Sequence, residues 1–311
     1  MKVVVTGGAG FIGANLCRAL RRQPEVDEVV AVDDFSTGKR SNITDLAVAV
    51  VEGTILDRSV LDQAFESATS VVHLAARPSV PRSIADPVAS HEANASGTVG
   101  VLEACRRHGV GHVIVASSSS VYGANPTLPK HEELTPQPLS PYAVSKLATE
   151  SYALAYQHSF GLGVLAFRFF NVFGPLQDAG HAYAAVVPAF VSAALADEPL
   201  PVHGDGLQTR DFTFIDSLTS VLTDAVLRQV THQRPVNLAF GGRTDLLTVI
   251  SLLEEILGHA LKREHAGPRA GDVRDSQADQ KVLRRLFPEI APIDLETGLR
   301  ATVDWFVNGR D

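Results

Sequence analysis

Tyr142 and Lys146 lie four residues apart in "SPYAVSK", so the two side chains share one face wherever the segment is helical. An ammonium held beside a phenol stabilises the phenolate and pulls its pKa down from about 10, making a tyrosine a usable base near neutral pH. Upstream, "SSSSVYG" at 117–123 closes an apolar run. Ser118, at the carboxyl end of that expected strand, is placed to pass a proton between the tyrosine and the hydroxyl of a bound substrate.

A tyrosine and lysine at this spacing occur by chance on many solvated helices. They gain meaning from "TGGAGFIG", where the first apolar run turns directly into a helical pattern and Gly7, Gly10 and Gly13 fall three apart. Glycine permits the unusual backbone angles of such a turn and lets a pyrophosphate approach the free amides and positive dipole end of the helix. A dinucleotide is the expected ligand. About 20 residues on, the second run ends in Asp33, whose carboxylate can accept hydrogen bonds from a ribose and repels a 2′-phosphate. NAD is therefore expected over NADP, although Lys39 and Arg40 in "DDFSTGKR" pull the other way.

The elements that position these residues are readable from the pattern. "KVVVT", "EVVAV", "AVAVV", "SVVHLA", "HVIVAS" and "GVLAFRF" are continuously apolar, as strands covered on both faces must be. They alternate with amphipathic stretches such as "FIGANLCRALRRQ" and "GTVGVLEACRRHG". That alternation predicts an α/β fold with a Rossmann-type, doubly wound parallel sheet. Around Tyr142, Ser140 is the expected N-cap, Pro141 the first helical residue and Gly161 the stop signal. Past residue 170 proline and glycine punctuate the chain. The expected division is an NAD-binding domain at 1–170 and a smaller α/β substrate-binding domain at 171–311, with the chain crossing between them.

Composition narrows the function classes. A chain of 311 residues, 45% of them apolar, can bury a large core. A net charge of −8 with no basic run argues against a nucleic-acid partner. No apolar run of about 18 residues suggests a membrane span, and no leader pattern precedes the first strand. Cys17 and Cys105 have neither metal spacing nor a disulfide framework, which fits a reducing cytoplasm. The 11 histidines form no zinc pattern, so no catalytic metal is expected, and His73 in "VVHLAA" reads as a hydrogen-bonded structural residue.

Taken together, "GGAGFIG", the serine stretch, "PYAVSK", "RFFNVFGP" and "GDGLQTRDFTFID" resemble the extended short-chain dehydrogenase/reductase superfamily, and within it the nucleotide-sugar 4-epimerases. "SVPRSIADP", "NVFGPLQDAGHAYAAVVPAF" and "GDVRDSQAD" resemble the UDP-N-acetylhexosamine 4-epimerase branch. The resemblance implies tightly held NAD, a UDP-sugar substrate, a homodimer through paired helices, and catalysis by Ser118, Tyr142 and Lys146.

It also implies a cofactor set and a substrate set. Gly7, Gly10, Phe11, Ile12 and Gly13 belong to the cofactor turn. Asp33 would hold the adenosine ribose, with Asp34, Ser36, Thr37 and Gly38 beside it. Thr54, Ile55, Leu74, Ala75 and Ala76 complete that set, Asn94 supports the site from its helix, and Phe169 backs the nicotinamide. Where relatives usually carry an aspartate in "GDIRD", this chain has "GTILD", and the Thr54 hydroxyl is the weaker acceptor for the adenine amino group. On the substrate side fall Ser79, Ser119, Ser120, Ala185 and Val186. Asn171, Arg210, Arg269 and Asp272 would grip the nucleotide, the arginines meeting the diphosphate with planar forks. His203 either touches the uridine or belongs to a surface loop. Ser276, four residues past Asp272, leaves room for an N-acetyl group where a tyrosine admits only a hydroxyl.

Rival readings share parts of this pattern. Dehydratases and decarboxylases of the superfamily carry acids, as in "TDEVYG" and "SEVYG", where this chain has Ser119 and Ser120; serine cannot replace a carboxylic acid as proton donor. A UDP-uronic acid 4-epimerase can share the serine stretch. A non-catalytic dinucleotide sensor has no need of Ser118, Tyr142 and Lys146 together.

Overall fold

The computed structural model describes residues 1–179, 185–267 and 273–309. All six expected strands form: β1 (Lys2–Thr6), β2 (Glu28–Asp33), β3 (Ala49–Glu52), β4 (Ser70–His73), β5 (His112–Ser118) and β6 (Gly163–Phe169). Four short strands follow, β7 (Val172–Phe173), β8 (Leu200–His203), β9 (Thr209–Arg210) and β10 (Thr213–Phe214), then β11 (Val236–Leu238), β12 (Thr244–Asp245) and β13 (Arg263–Ala266). The main sheet runs β11-β6-β5-β4-β1-β2-β3, and every pair in it is parallel. β1, β4, β5 and β6 are buried on both faces, which is why they read as unbroken apolar runs, whereas β3, at the sheet edge, is largely exposed, so its run is not covered on both faces as expected.

The strand order reverses between β1 and β4. In such a sheet the crevice at the carboxyl ends, at the reversal, is where ligands bind. Register lines up the candidates there: Thr6 faces His73, and Ser118 faces Phe169. β11 is a seventh strand that the sequence pattern did not suggest, since three residues are too few to show periodicity. Strands from both sides of residue 170 thus build this sheet. The remaining short strands pair as β7 with β10, β9 with β12, and β8 with β13, and helices Val186–Leu195, Leu246–Leu257 and Leu295–Asn308 pack with them. Among the described residues no helix is long and apolar enough to cross a membrane. Burial pushes the thiols of Cys17 and Cys105 up to about 12, so neither is a nucleophile at neutral pH.

The helix Pro141–Phe160 carries Tyr142 and Lys146. Ser140 caps it, its Oγ accepting from the Ala143 amide at 3.2 Å, and Gly161 ends it in the left-handed region at φ 70°. Glu150, one turn past Lys146, meets Arg168 of β6 in a bidentate pair at 2.6 and 3.0 Å, with both side chains only 3% exposed. The guanidinium also stacks 4.7 Å from the centre of the Tyr122 ring, and the Tyr122 hydroxyl donates to Asn237 of β11 at 2.6 Å. Removing one member of a buried pair strands the other charge. Glu150→Ala is expected to cost about 3–5 kcal/mol of unfolding free energy, measured by urea denaturation; a loss under about 1 kcal/mol, the range of an exposed pair, would show that the pair does not anchor the helix.

Candidate active site

The glycine turn closes on itself. Gly7 sits at φ 71° and donates its amide to the Val32 carbonyl at 2.7 Å. A Cβ on Gly13 would stand 2.0 Å from the Gly7 oxygen, and one on Gly7 only 2.8 Å from the Ala75 nitrogen. No side chain caps the helix Phe11–Leu20 that follows, so the amides of its first turn are not taken by a capping residue. Phe11 and Ile12 begin that helix.

Asp33 ends β2 with its oxygens engaged by two loops: Oδ2 accepts from the Ala9 amide and Oδ1 from the Phe35 amide, both at 2.9 Å. Burial raises its pKa, and these backbone amides oppose the rise. Gly38 lies so close that a Cβ there would meet the carboxylate at 2.9 Å. Each oxygen keeps a further acceptor site, which a ribose hydroxyl can use. Asp34 binds the amide and hydroxyl of Ser36, and Thr37 is exposed. Lys39 and Arg40 are each paired with a carboxylate, Asp178 at 3.0 Å and Glu52 at 2.6 Å. Neither base is aimed solely at the Asp33 crevice. Thr54 accepts from the Leu56 amide at 3.3 Å, leaving its hydroxyl proton free to turn, and Ile55 is buried behind it.

On the loop after β4, the Leu74 and Ala75 amides bond to the carbonyl and hydroxyl of Thr6, and Ala76 follows, half-buried. Asn94 holds the next residue: its Oδ1 accepts from the Arg77 amide at 2.7 Å, and its Nδ2 donates to the Arg77 carbonyl and to Ser145 Oγ. It sits in a π-helical turn, Glu92–Ser96, the kind of bulge that re-aims a side chain inside a helix. His73 has both ring nitrogens bonded, to Thr6 and Thr98, and burial depresses its pKa to about 3. It is structural.

Ser118, Tyr142 and Lys146 come together. Ser118 Oγ accepts from the Ser120 amide at 3.2 Å and from the Ser120 hydroxyl at 2.9 Å, and its side chain lies near enough to the Tyr142 phenol to favour the phenolate. The Tyr142 amide donates to Ser83 Oγ. Lys146 is buried with Nζ donating to the Ala116 carbonyl at 2.8 Å. One expectation is corrected here. The phenol of Tyr142 is not lowered but raised, because desolvation outweighs the opposing influence of the Ser118 side chain. Burial instead brings the Lys146 ammonium down, to about 8. Ser119 opens the short turn Ser119–Tyr122 that follows Ser118, and Ser79, at φ 97°, caps the helix Val80–Ala85.

Two residues beyond Phe169, a cavity of about 200 Å³ opens. Asn171, Ala185, Val186, His203 and Arg210 all line it, as do Gln208, Phe212 and Phe190, which sequence reading did not single out. Phe212 was findable: in an extended chain it shares a side with Arg210. His203 therefore lies at a cavity wall, with Nδ1 bonded to the Gly267 carbonyl. Ser276 is buried, not on an exposed loop. It does not line the cavity, but Thr209 pairs with Asp275 in parallel register, so Arg210 and Ser276 point to the same side of that ladder. Arg269 and Asp272 lie outside the described residues.

Residues 3–239 match the NAD dependent epimerase/dehydratase family. The chain belongs to that family. It is 34% identical to the UDP-glucose 4-epimerase of Mycolicibacterium smegmatis over 99% of both chains. It superposes on UDP-N-acetylglucosamine 4-epimerase from Methanobrevibacter ruminantium, in complex with UDP-N-acetylmuramic acid, with a TM-score of 0.93, 33% identity and coverage of 99% and 98%. With UDP-glucuronic acid 4-epimerase from Bacillus cereus, in complex with UDP-glucuronic acid and NAD, the TM-score is 0.90 at 32% identity and 99% coverage of both.

NAD is the cofactor of this family, and the residues present fit it: the cradle at Gly7 and Gly13 admits no side chain, while Asp33 ends the neighbouring strand. Lys146 imposes a measurable cost on this family member. Unfolded, its ammonium titrates near its ordinary 10.5; folded, near 8. As pH falls between those values the unfolded chain takes up the proton first, so stability drops, and the loss is complete below 8. Lys146→Met is expected to lift that penalty at pH 7 and not at pH 10.5, so the variant-minus-wild-type difference in unfolding free energy should be more positive at pH 7 by about 2–3 kcal/mol. Equal differences at the two pH values would mean that the lysine is not desolvated.

Proposed function

We propose that this chain interconverts the C4 epimers of UDP-hexoses and UDP-N-acetylhexosamines through a transient 4-ketone. The observation that carries the reading is the placing of Ser118 near the Tyr142 phenol, with a buried Lys146 one helical turn on and serines rather than acids at 119 and 120. NAD supplies a site that accepts the C4 hydride and gives it back. Tyr142 takes the proton of the 4′-hydroxyl, directly or through Ser118, and returns it after the ketone has presented its other face. Lys146, one helical turn on and held by the Ala116 carbonyl, supplies a nearby positive charge that favours the phenolate against the burial that raises the phenol. Without a carboxylic acid beside Ser118, elimination of water has no proton donor. Asn171, Phe212 and Arg210 around the cavity are suited to a pyrimidine nucleotide and its diphosphate, the guanidinium matching phosphate oxygens. The residues before 170 hold the cofactor and supply the catalytic Ser118 and Tyr142, and those after it supply the walls of the sugar-nucleotide pocket.

Ser276, small and on the Arg210 side of its ladder, leaves space for an N-acetyl group. Incubated without added cofactor, the purified protein should convert UDP-GlcNAc to UDP-GalNAc and UDP-Glc to UDP-Gal, followed by NMR. Tyr142→Phe should lower kcat by about 100-fold or more with NAD still bound. Ser276→Tyr should abolish conversion of the N-acetyl pair while sparing the hexoses. Conversion of UDP-glucuronic acid alone would replace this substrate assignment with a uronic-acid 4-epimerase.

The outer face of the Pro141–Phe160 helix exposes Val144 and Tyr152, next to Val88 on the adjoining helix Pro87–His91. We assign this apolar face to a homodimer contact. Light scattering should give the mass of two 33.2 kDa chains, and Val144→Asp should give that of one; a wild-type monomer would overturn the assignment.

A further inference from the structure

Behind the cavity wall lies a carboxylate with no part in the chemistry above. Asp211 is fully buried between Arg210 and Phe212 in sequence. Since its two neighbours line the cavity, alternation along an extended chain points Asp211 away from it. Oδ2 accepts from the amides of Gly241 and Ala278, each at 3.0 Å. Among the described residues Oδ1 has no hydrogen-bond partner. The Asp211 carbonyl is engaged elsewhere, accepting from Asn171 Nδ2 at 3.1 Å.

These bonds have a pattern. Segment 274–278 runs parallel to 209–211: the Thr209 amide donates to the Arg274 carbonyl and the Ser276 amide to the Thr209 carbonyl, both at 3.0 Å. Two residues further along, a parallel ladder would carry a bond from the Ala278 amide to the Asp211 carbonyl. That carbonyl is turned to Asn171, and the side-chain carboxylate takes its place. One residue thereby holds three segments: Asn171, which lines the cavity, the loop at Gly241, and the stretch with Ser276, on the Arg210 side of its ladder.

We infer that Asp211 is a positioning residue of the nucleotide-sugar pocket, fixing Asn171, Arg210 and Ser276 relative to one another through the rung its carboxylate supplies. The inference rests on the UDP-sugar reading above. Burial raises its pKa to about 6, so at neutral pH the fold carries a desolvated charge at this point. The charge is what lets one oxygen hold two amides strongly.

The test uses the NAD-loaded enzyme and Asp211→Asn, which keeps the shape and removes the charge. UDP binding by calorimetry and KM for the UDP-sugar should both weaken about tenfold, with kcat within threefold, NAD content unchanged and the pH profile of kcat unmoved. In the wild type, added UDP should slow hydrogen exchange in peptides containing Gly241 and Ala278, a readout that does not depend on the variant folding. UDP affinity within twofold of wild type in Asp211→Asn, parallel loss of NAD and kcat, or wild-type exchange at these peptides indifferent to UDP would each overturn the inference. Wild-type enzyme that binds no UDP would instead overturn the substrate reading itself.

Discussion

Burying a lysine and a glutamate on one face of a helix is the constraint on which the site depends. Lys146 and Glu150 stand one turn apart, and neither can be left dry without a partner. The sheet supplies both partners, the Ala116 carbonyl from β5 and Arg168 from β6. Two fixed points on adjacent strands set the rotation of the helix and its position along its axis. Tyr142, one turn earlier, is then delivered to the end of β5, where Ser118 stands. Asn94 and Ser83 add bonds to the first turns of the same helix. The phenol proposed as the base is thus located by groups that take no part in the proposed reaction.

The two halves of the site are built on different principles. On the cofactor side, close backbone approach does the shaping: glycines at 7, 13 and 38 lie where a methyl group would collide with a carbonyl, an amide or a carboxylate. Such a surface tolerates one ligand shape, because backbone does not yield as a side chain does. The cavity proposed for the sugar nucleotide is walled by residues of 171–173, 185–190, 201–212 and 246, brought together from distant parts of the chain. Its shape rests on side chains and short ladders, so it admits change without disturbing the redox half.

What was legible in the sequence was local. The six long strands, the glycine turn, the Ser140 cap and the Gly161 stop all follow from residues within a few positions of one another. The Ser118, Tyr142 and Lys146 grouping was legible because strand ends and helix starts converge in a parallel sheet. The protonation of Tyr142 was not: proximity to an ammonium argued for a lowered phenol, whereas burial, a property of the whole fold, raises it. Asp211 was equally hidden, since its partners lie 30 and 67 residues away. β11 is only three residues long and owes its place to β6 rather than to any pattern of its own.

β11 also orders events in time. Its pairing partner β6 ends at Phe169, yet β11 begins at Val236, so a chain leaving the ribosome must extend well past β6, through the segments that wall the cavity, before the outer flank of the large sheet can close. Until then β6 presents an unpaired, apolar edge. The two halves cannot mature one after the other, and a break in the chain between them would leave each without a strand or a neighbour it needs. A chain truncated before residue 238 therefore keeps this edge unpaired, the kind of exposed strand that favours aggregation.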